Sequence, residues 1–303
     1  MHLSYLLLKW YQNNKRNLPW RNTTNPYHIW ISEIILQQTR INQGMDYYNN
    51  FINTFPDIQS LANADEEQVL KLWQGLGYYS RARNLHFAAK QIINNFNGIF
   101  PNEYDKILSL KGIGEYSAGA IASISFDLAF PAIDGNVQRL ISRLYGIEDA
   151  INSKDGKNKI KGIVNELIDK NNPGDFNQSL IELGALICKP QKPECEKCPI
   201  ADYCYSFKNH KQNEFPRKIK LKKPKDRLLY YLFINQQNTY TYICKRDKND
   251  IWKNLYDFPQ INIKDDNKNE SNLIDEIKKI LNNDEFIVKK IHPFIKHQLT
   301  HQT

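Results

Sequence analysis

The spacing Cys188-x6-Cys195-x2-Cys198-x5-Cys204 constrains the fold of this chain more than any other feature, because four thiols so close in sequence must share one loop. Pro190, Pro193 and Pro199 stiffen the stretches between them. Four thiolates held this way come within reach of one metal centre. Disulfides are the weaker reading, since nothing marks the chain for export and cytosolic thiols persist reduced. A tetrahedral zinc ion accepts four thiolates as readily as a [4Fe-4S] cluster does, so the spacing leaves both open. The fifth cysteine, Cys244, falls in an apolar run and reads as a small buried side chain.

Upstream of the cysteines the apolar residues follow a helical period, as at Leu6, Leu7, Trp10 and Tyr11, and Pro19, Pro26, Pro56, Pro101 and Pro131 fall between periodic segments. The first two thirds of the 303 residues therefore reads as several short helices. Residues 207–226 are dominated by Lys and Arg and read as a basic linker. Beyond it, β-branched and aromatic runs at 228–234 and 239–244 flank Asn-Gln-Gln-Asn and predict a hairpin, 271–281 predicts a helix and 286–295 an extended segment. That pattern is a second, mixed α/β domain. The formal net charge of +8 favours a polyanionic partner, although a composition rich in Lys and Asn explains the same excess, so charge decides little. No stretch approaches the roughly 20 apolar residues of a membrane span, and a cytoplasmic location without membrane contact is expected.

Three further features carry chemistry. Gly112 and Gly114, in Leu110-Lys111-Gly112-Ile113-Gly114, allow a tight turn between helices, which leaves backbone N–H groups at a helix N-terminus to bind a phosphate without reading sequence. A plain helix connection would look the same. Glu33 is the only acid in the apolar run His28–Gln38, and burial there would raise its pKa toward that of a general acid; a place on the polar face beside Ser32 and Gln37 is the alternative. Asp134 stands between an apolar stretch and a helical segment, where a carboxylate either caps the helix or faces a positive charge developing on a sugar.

With Leu18-Pro19-Trp20-Arg21, Ser32-Glu33-Ile34-Ile35-Leu36-Gln37-Gln38-Thr39, Gly75-Leu76-Gly77-Tyr78-Tyr79-Ser80-Arg81, the Gly112 turn, Asp134-Gly135-Asn136-Val137 and Glu182-Leu183-Gly184-Ala185 in hand, the chain resembles the adenine DNA glycosylases, the MutY family of the helix-hairpin-helix base-excision superfamily. The likeness runs over essentially the whole chain. It implies a mainly α fold, a helix-hairpin-helix DNA glycosylase with an iron–sulfur cluster loop, plus a smaller α/β Nudix-like C-terminal domain. The expected divisions are a catalytic domain at 1–206, with a six-helix module at about 22–130 and an iron–sulfur module formed by 1–21 with 131–206. The linker at 207–226 and a recognition domain at 227–303 follow.

The resemblance also implies a [4Fe-4S] cluster on Cys188, Cys195, Cys198 and Cys204. It makes Glu33 the proton donor to a departing adenine and Asp134 the stabiliser of an oxocarbenium-like sugar, with Tyr116 and Asn136 in support. Gln38, Leu76 and Tyr78 would fill or wedge the gap left by the extruded base, Thr39, Lys111, Gly112 and Gly114 would contact the DNA, and Arg16, Trp20, Arg21 and Glu182 would form the adenine pocket. Tyr116 replaces the Lys that the bifunctional endonuclease III branch uses as a Schiff-base nucleophile, so monofunctional hydrolysis is expected. The expected partner is double-stranded DNA with 8-oxoguanine:A or G:A mismatches, bound by a monomer that is nucleoid-associated during repair. Leu299-Thr300-His301 resembles the family's Phe-Ser-His loop for 8-oxoguanine, with Leu in place of Phe and Thr in place of Ser.

Overall fold

A computed structural model describes residues 2–220, 229–236, 239–246, 252–261, 270–282, 285–293 and 295–296. The chain divides into two compact units, residues 1–219 and 220–303. In the first, α1 (His2–Asn14) and a 3₁₀ turn at Pro19–Arg21 lead to α2 (Pro26–Ile35), α3 (Ile41–Thr54), α4 (Ile58–Asn63), α5 (Glu66–Leu72), α6 (Ser80–Phe96), α7 (Tyr104–Leu108) and α8 (Glu115–Phe126). Then come α9 (Gly135–Tyr145), α10 (Lys154–Leu167), α11 (Pro173–Leu186), 3₁₀ turns at Cys195–Lys197 and Ala201–Tyr203, and α12 (Tyr205–Lys208).

Local chemistry starts and stops these helices where the sequence predicts. Pro26 opens α2 behind an Asn25 side chain that accepts from the Tyr27 N–H. Asp57 and Ser60 make a capping box on α4, and Gly146 ends α9 in the left-handed region. Helix α8 has little amphipathic character. Its Ser117, Ala118, Gly119, Ala120, Ile121, Ala122 and Ser123 are all buried, because α2, α7 and α11 pack around it. A second core joins Leu7 of α1 to Val137, Leu140, Ile141 and Leu144 of α9, Ile160 and Val164 of α10, and Phe176, Leu180 and Leu183 of α11. The N-terminal helix is thus folded onto the C-terminal helices of its unit.

Residues 207–219 depart from the linker reading, for they belong to the first unit. The Ile151 N–H donates to the Arg217 carbonyl at 2.9 Å, and Asn152 both donates to the Ile219 carbonyl and accepts from its N–H. Backbone pairing and the buried Phe215 outweigh the charge of the segment.

The described residues of the second unit include α13 (Glu270–Leu281) and the two-residue strands β1 (Tyr230–Tyr231), β2 (Asn235–Gln236), β3 (Tyr240–Thr241), β4 (Cys244–Lys245), β5 (Tyr256–Asp257) and β6 (Gln260–Ile261). They pair antiparallel as β1–β6, β2–β3 and β4–β5. The hairpin exists, but Asn235 and Gln236, expected in the turn, are in strand and pair with Thr241 and Tyr240. Cys244 is exposed rather than buried: β4 is two residues long and, among the described residues, pairs with β5 alone. Residues 285–293 form no strand, and Leu299, Thr300 and His301 lie outside the described residues.

Candidate active site

Glu33 lies in the last turn of α2, with Ile31, Ser32, Ile34 and Ile35 buried around it. Its carboxyl bonds with the Tyr116 side chain from the first turn of α8 and faces Asp134. Burial, seconded by the negative charge of Asp134, pushes Glu33 up to about 7, against the opposing pull of Tyr116 and Arg21. Tyr116 is raised well above its usual range by burial and by the two acids, so it remains a neutral phenol that can donate to Glu33. The alternative of an exposed polar face for Glu33 does not hold.

Asp134 is the N-cap of α9: its Oδ1 accepts from the Asn136 and Val137 N–H groups, both at 2.8 Å, and its Oδ2 from Asn136 Nδ2 at 2.7 Å. Cap and reactive group are thus the same carboxylate. Burial raises Asp134, while these three donors and the Arg139 charge oppose the shift. Of the two acids, Asp134 has the donor set that favours the ionised form.

Other groups fix that loop. Asn177 on α11 accepts from the Ala132 N–H and donates to the Ser123 hydroxyl and the Phe130 carbonyl. A Cβ on Gly119 would lie 2.2 Å from the Pro131 carbonyl oxygen, and one on Gly184 would lie 2.7 Å from Asn136 Cβ, so both glycines permit helix approaches that any side chain would block.

Arg16, Arg21 and Glu182 come together. The Glu182 side chain is fully buried, and its oxygens accept from Arg16 Nε and Arg21 Nη1, each at 2.8 Å, from Arg21 Nη2 at 2.8 Å and from the Arg16 N–H at 3.0 Å. Burial alone would raise Glu182, yet the two guanidiniums hold it down at about 2. Glu182 therefore braces the arginines, and Arg21 in turn is close enough to act on Glu33. Trp20 is buried edge-on against Tyr48.

The turn after α5 carries Leu76, which is buried, and Tyr78, which is exposed and has a positive φ, as does Gln38 after α2. Thr39 is half-buried in the same segment. In the hairpin, Gly112 has φ +83° and sits where a Cβ would meet Asn84 at 2.7 Å. The Lys111 N–H is already used by Gln91 Oε1 and that of Ile113 by the Leu110 carbonyl. Of the four hairpin amides Lys111 to Gly114, those of Gly112 and Gly114 have no acceptor among the described residues.

The four cysteines line one cavity, partly open to solvent, with Leu140, Arg143, Ile187, Ile200, Phe207 and Gln212. All four thiols are free. Arg143 donates to Cys188 Sγ at 3.4 Å and to the carbonyls of Lys189, Pro190, Gln212 and Phe215, and Gln212 Nε2 approaches Cys195 Sγ at 4.0 Å. Four thiols, an apolar wall and N–H donors aimed at sulfur fit an anionic iron–sulfur group. Sequence reasoning assigned no role to Arg139, Arg143 or Asn177. The one available signal was two arginines four apart on the buried face of an otherwise amphipathic helix.

Residues 31–166 match the HhH-GPD superfamily of base excision DNA repair proteins, and residues 188–204 match the iron–sulfur binding domain of endonuclease III. The cofactor is a [4Fe-4S] cluster, and the matched iron–sulfur stretch runs from Cys188 to Cys204. The fold is that of a solved thermostable thymine-DNA glycosylase, at 27% identity and a TM-score of 0.64 over 69% of this chain and 96% of that one. The class is therefore that of helix-hairpin-helix enzymes that remove bases from DNA. Two adenine DNA glycosylases of Buchnera aphidicola are similar throughout. The one from subspecies Schizaphis graminum is 39% identical over 86% of this chain and 75% of its own length. The one from subspecies Acyrthosiphon pisum is 36% identical over 98% and 84%. The chain belongs to the adenine DNA glycosylase family. No helix among the described residues is long and apolar enough to cross a membrane.

Proposed function

We propose that the protein hydrolyses the N-glycosidic bond of adenine mispaired with 8-oxoguanine or guanine in duplex DNA, acting as a monomer. The observation that carries this reading is Glu33, protonated near neutral pH, bonded to Tyr116 and facing Asp134. In the proposed reaction the adenine is extruded and its pocket is bounded by Arg16, Trp20, Arg21 and Glu182. Glu33 gives its proton to a ring nitrogen of the base, and the C1′–N bond breaks with its electron pair going to adenine. Asp134, held by Asn136, shields the cationic sugar. Water then attacks C1′ and returns a proton to Glu33, which leaves free adenine and an abasic site. With Tyr116 where a lysine nucleophile would stand, no Schiff base forms and the strand stays intact.

Gln38, Leu76 and Tyr78 are proposed to occupy the vacated space, Thr39 to contact the DNA, and Gly112 and Gly114 to bind a phosphate beside the lesion. Recognition of the oxidised base falls to the second unit through Leu299, Thr300 and His301. The four cysteines hold the [4Fe-4S] cluster, which here supplies a structural anchor for the loop.

Single-turnover release of adenine from 8-oxoguanine:A, G:A and T:A duplexes tests the reading, with a G:T duplex as the competing substrate. Release from the first two with little from the others is expected, and Glu33→Gln abolishes it. Undiminished turnover in Glu33→Gln, thymine release, or borohydride trapping of protein on DNA would overturn it. Thr300→Ala combined with His301→Ala narrows the preference for 8-oxoguanine:A over G:A, and an unchanged ratio discards the loop's role.

A further inference from the structure

Arg81, near the start of α6, has a buried side chain and makes no ion pair with a carboxylate among the described residues. Its guanidinium instead collects backbone carbonyls from two separate segments. Nη1 donates to Ile34 at 2.9 Å, to Ile35 at 3.1 Å and to Gln37, while Nη2 donates to Leu76 at 3.3 Å and Gly77 at 3.2 Å. The cation also lies 5.2 Å from the Trp73 ring and 5.8 Å from the Tyr78 ring. Ile34 and Ile35 end the helix that carries Glu33, where carbonyls lack helical partners and a positive charge is favoured. Leu76 and Gly77 belong to the turn in which Gly75, Gly77 and Tyr78 all take positive φ. Such a turn is not kept in shape by its own backbone preferences.

We infer that Arg81 is a positioning residue that locks the Leu76–Tyr78 turn and the Gln37–Gln38 segment to the end of the Glu33 helix, so that one side chain sets base extrusion and proton donation in register. The inference rests on the adenine-excision reading. Its chemistry is the planar fork of the guanidinium, which reaches carbonyls on both sides at once; an ammonium keeps the charge but reaches only one side.

The test is a double-mutant cycle in the full-length holoprotein, with single-turnover adenine release from an 8-oxoguanine:A duplex measured for Arg81→Lys, Leu76→Ala and the pair. Each single change slows release about tenfold or more, as a small misplacement of reacting groups does. The double variant is no slower than the slower single, because both act through one turn. Fluorescence of 2-aminopurine beside the mispaired adenine reports extrusion separately: it falls in Arg81→Lys and persists in Glu33→Gln. Losses that multiply in the double variant, or an Arg81→Lys protein that excises and extrudes at the wild-type rate, overturn the inference. Either result with adenine release intact in the wild type removes the role of Arg81 alone, whereas an active Glu33→Gln protein removes the excision reading.

Discussion

Glu33 keeps its proton near neutral pH because burial penalises its charge and the group opposite it is another acid. Two consequences follow from the direction of that shift. Proton donation fades as pH rises through about 7, so the alkaline limb of the kcat profile falls there. The same shift reduces stability at high pH, since an acid whose folded pKa is raised binds its proton more tightly in the native state; its contribution is complete at low pH and is lost as pH rises through about 7. Glu33→Gln is therefore expected to be inactive yet to melt above the wild type at pH 8, and an equal or lower melting temperature there contradicts the buried-acid account. Glu182 behaves in the opposite sense. Held at about 2 by Arg16 and Arg21, it stabilises the fold above the ordinary carboxylate range, and this is lost as pH falls toward 2. Glu182→Gln leaves two guanidiniums without their carboxylate. Arg16 is one-third exposed and its share is screened, so a loss of about 3 kcal/mol in denaturant unfolding is expected, at the low end for a broken buried pair. These two acids were recognisable in the sequence, one as a lone charge in an apolar run and the other as part of a motif. The arginines at 81, 139 and 143 were not, because periodicity counts an arginine as surface until carbonyls from distant segments are seen to converge on it.

At the scale of elements, the site depends on how closely α8 approaches the loop that precedes α9. Glycines and prolines marked the helix ends and the hairpin turn in the sequence, and the cap of α9 was legible from Asp134 itself. The approach was not, since Gly119 sits in a small-residue helix where nothing in the local pattern says which neighbour needs the space. With Pro131 carbonyl oxygen 2.2 Å from where its Cβ would lie, Gly119→Ala must push the loop and α8 apart. Tyr116 and Asp134 ride on those two elements. The expected outcome is a loss of kcat of about tenfold to a hundredfold with DNA affinity preserved, because Gly112 and Gly114, the proposed phosphate contacts, precede the displaced helix. Single-turnover kinetics beside equilibrium DNA binding distinguishes this from general unfolding, and a variant with wild-type kcat would show that the loop yields without moving Asp134. In the second unit the sequence pattern announced longer strands than those found among the described residues. β-branched and aromatic runs report a surface suited to pairing, but the length of a strand is decided by its partner, and each pairing here spans two residues.

The two units differ in what holds them together. The first has dense helical packing, and Cys188, Cys198 and Cys204 belong to one of its cores, with Cys188 in the same buried cluster as Leu140, Leu144 and Ile200. In the second, the buried side chains among the described residues are Ile261, Ile277 and Arg246, while Phe233, Ile243, Ile287, Ile291 and Ile295 are exposed. Less apolar burial among the described residues leaves less free energy to offset chain entropy, so the second unit is expected to be the weaker of the two. Calorimetry of the holoprotein is expected to resolve a small transition from the second unit below a larger one from the first. Cys198→Ser weakens the hold on the cluster and removes a ligand from the wall of that core; it should bleach the visible iron–sulfur absorbance and lower the large transition while leaving the small one in place. If both transitions move together, the units unfold as one body, and metal ligation stabilises the whole chain rather than the helical unit that contains the cysteines.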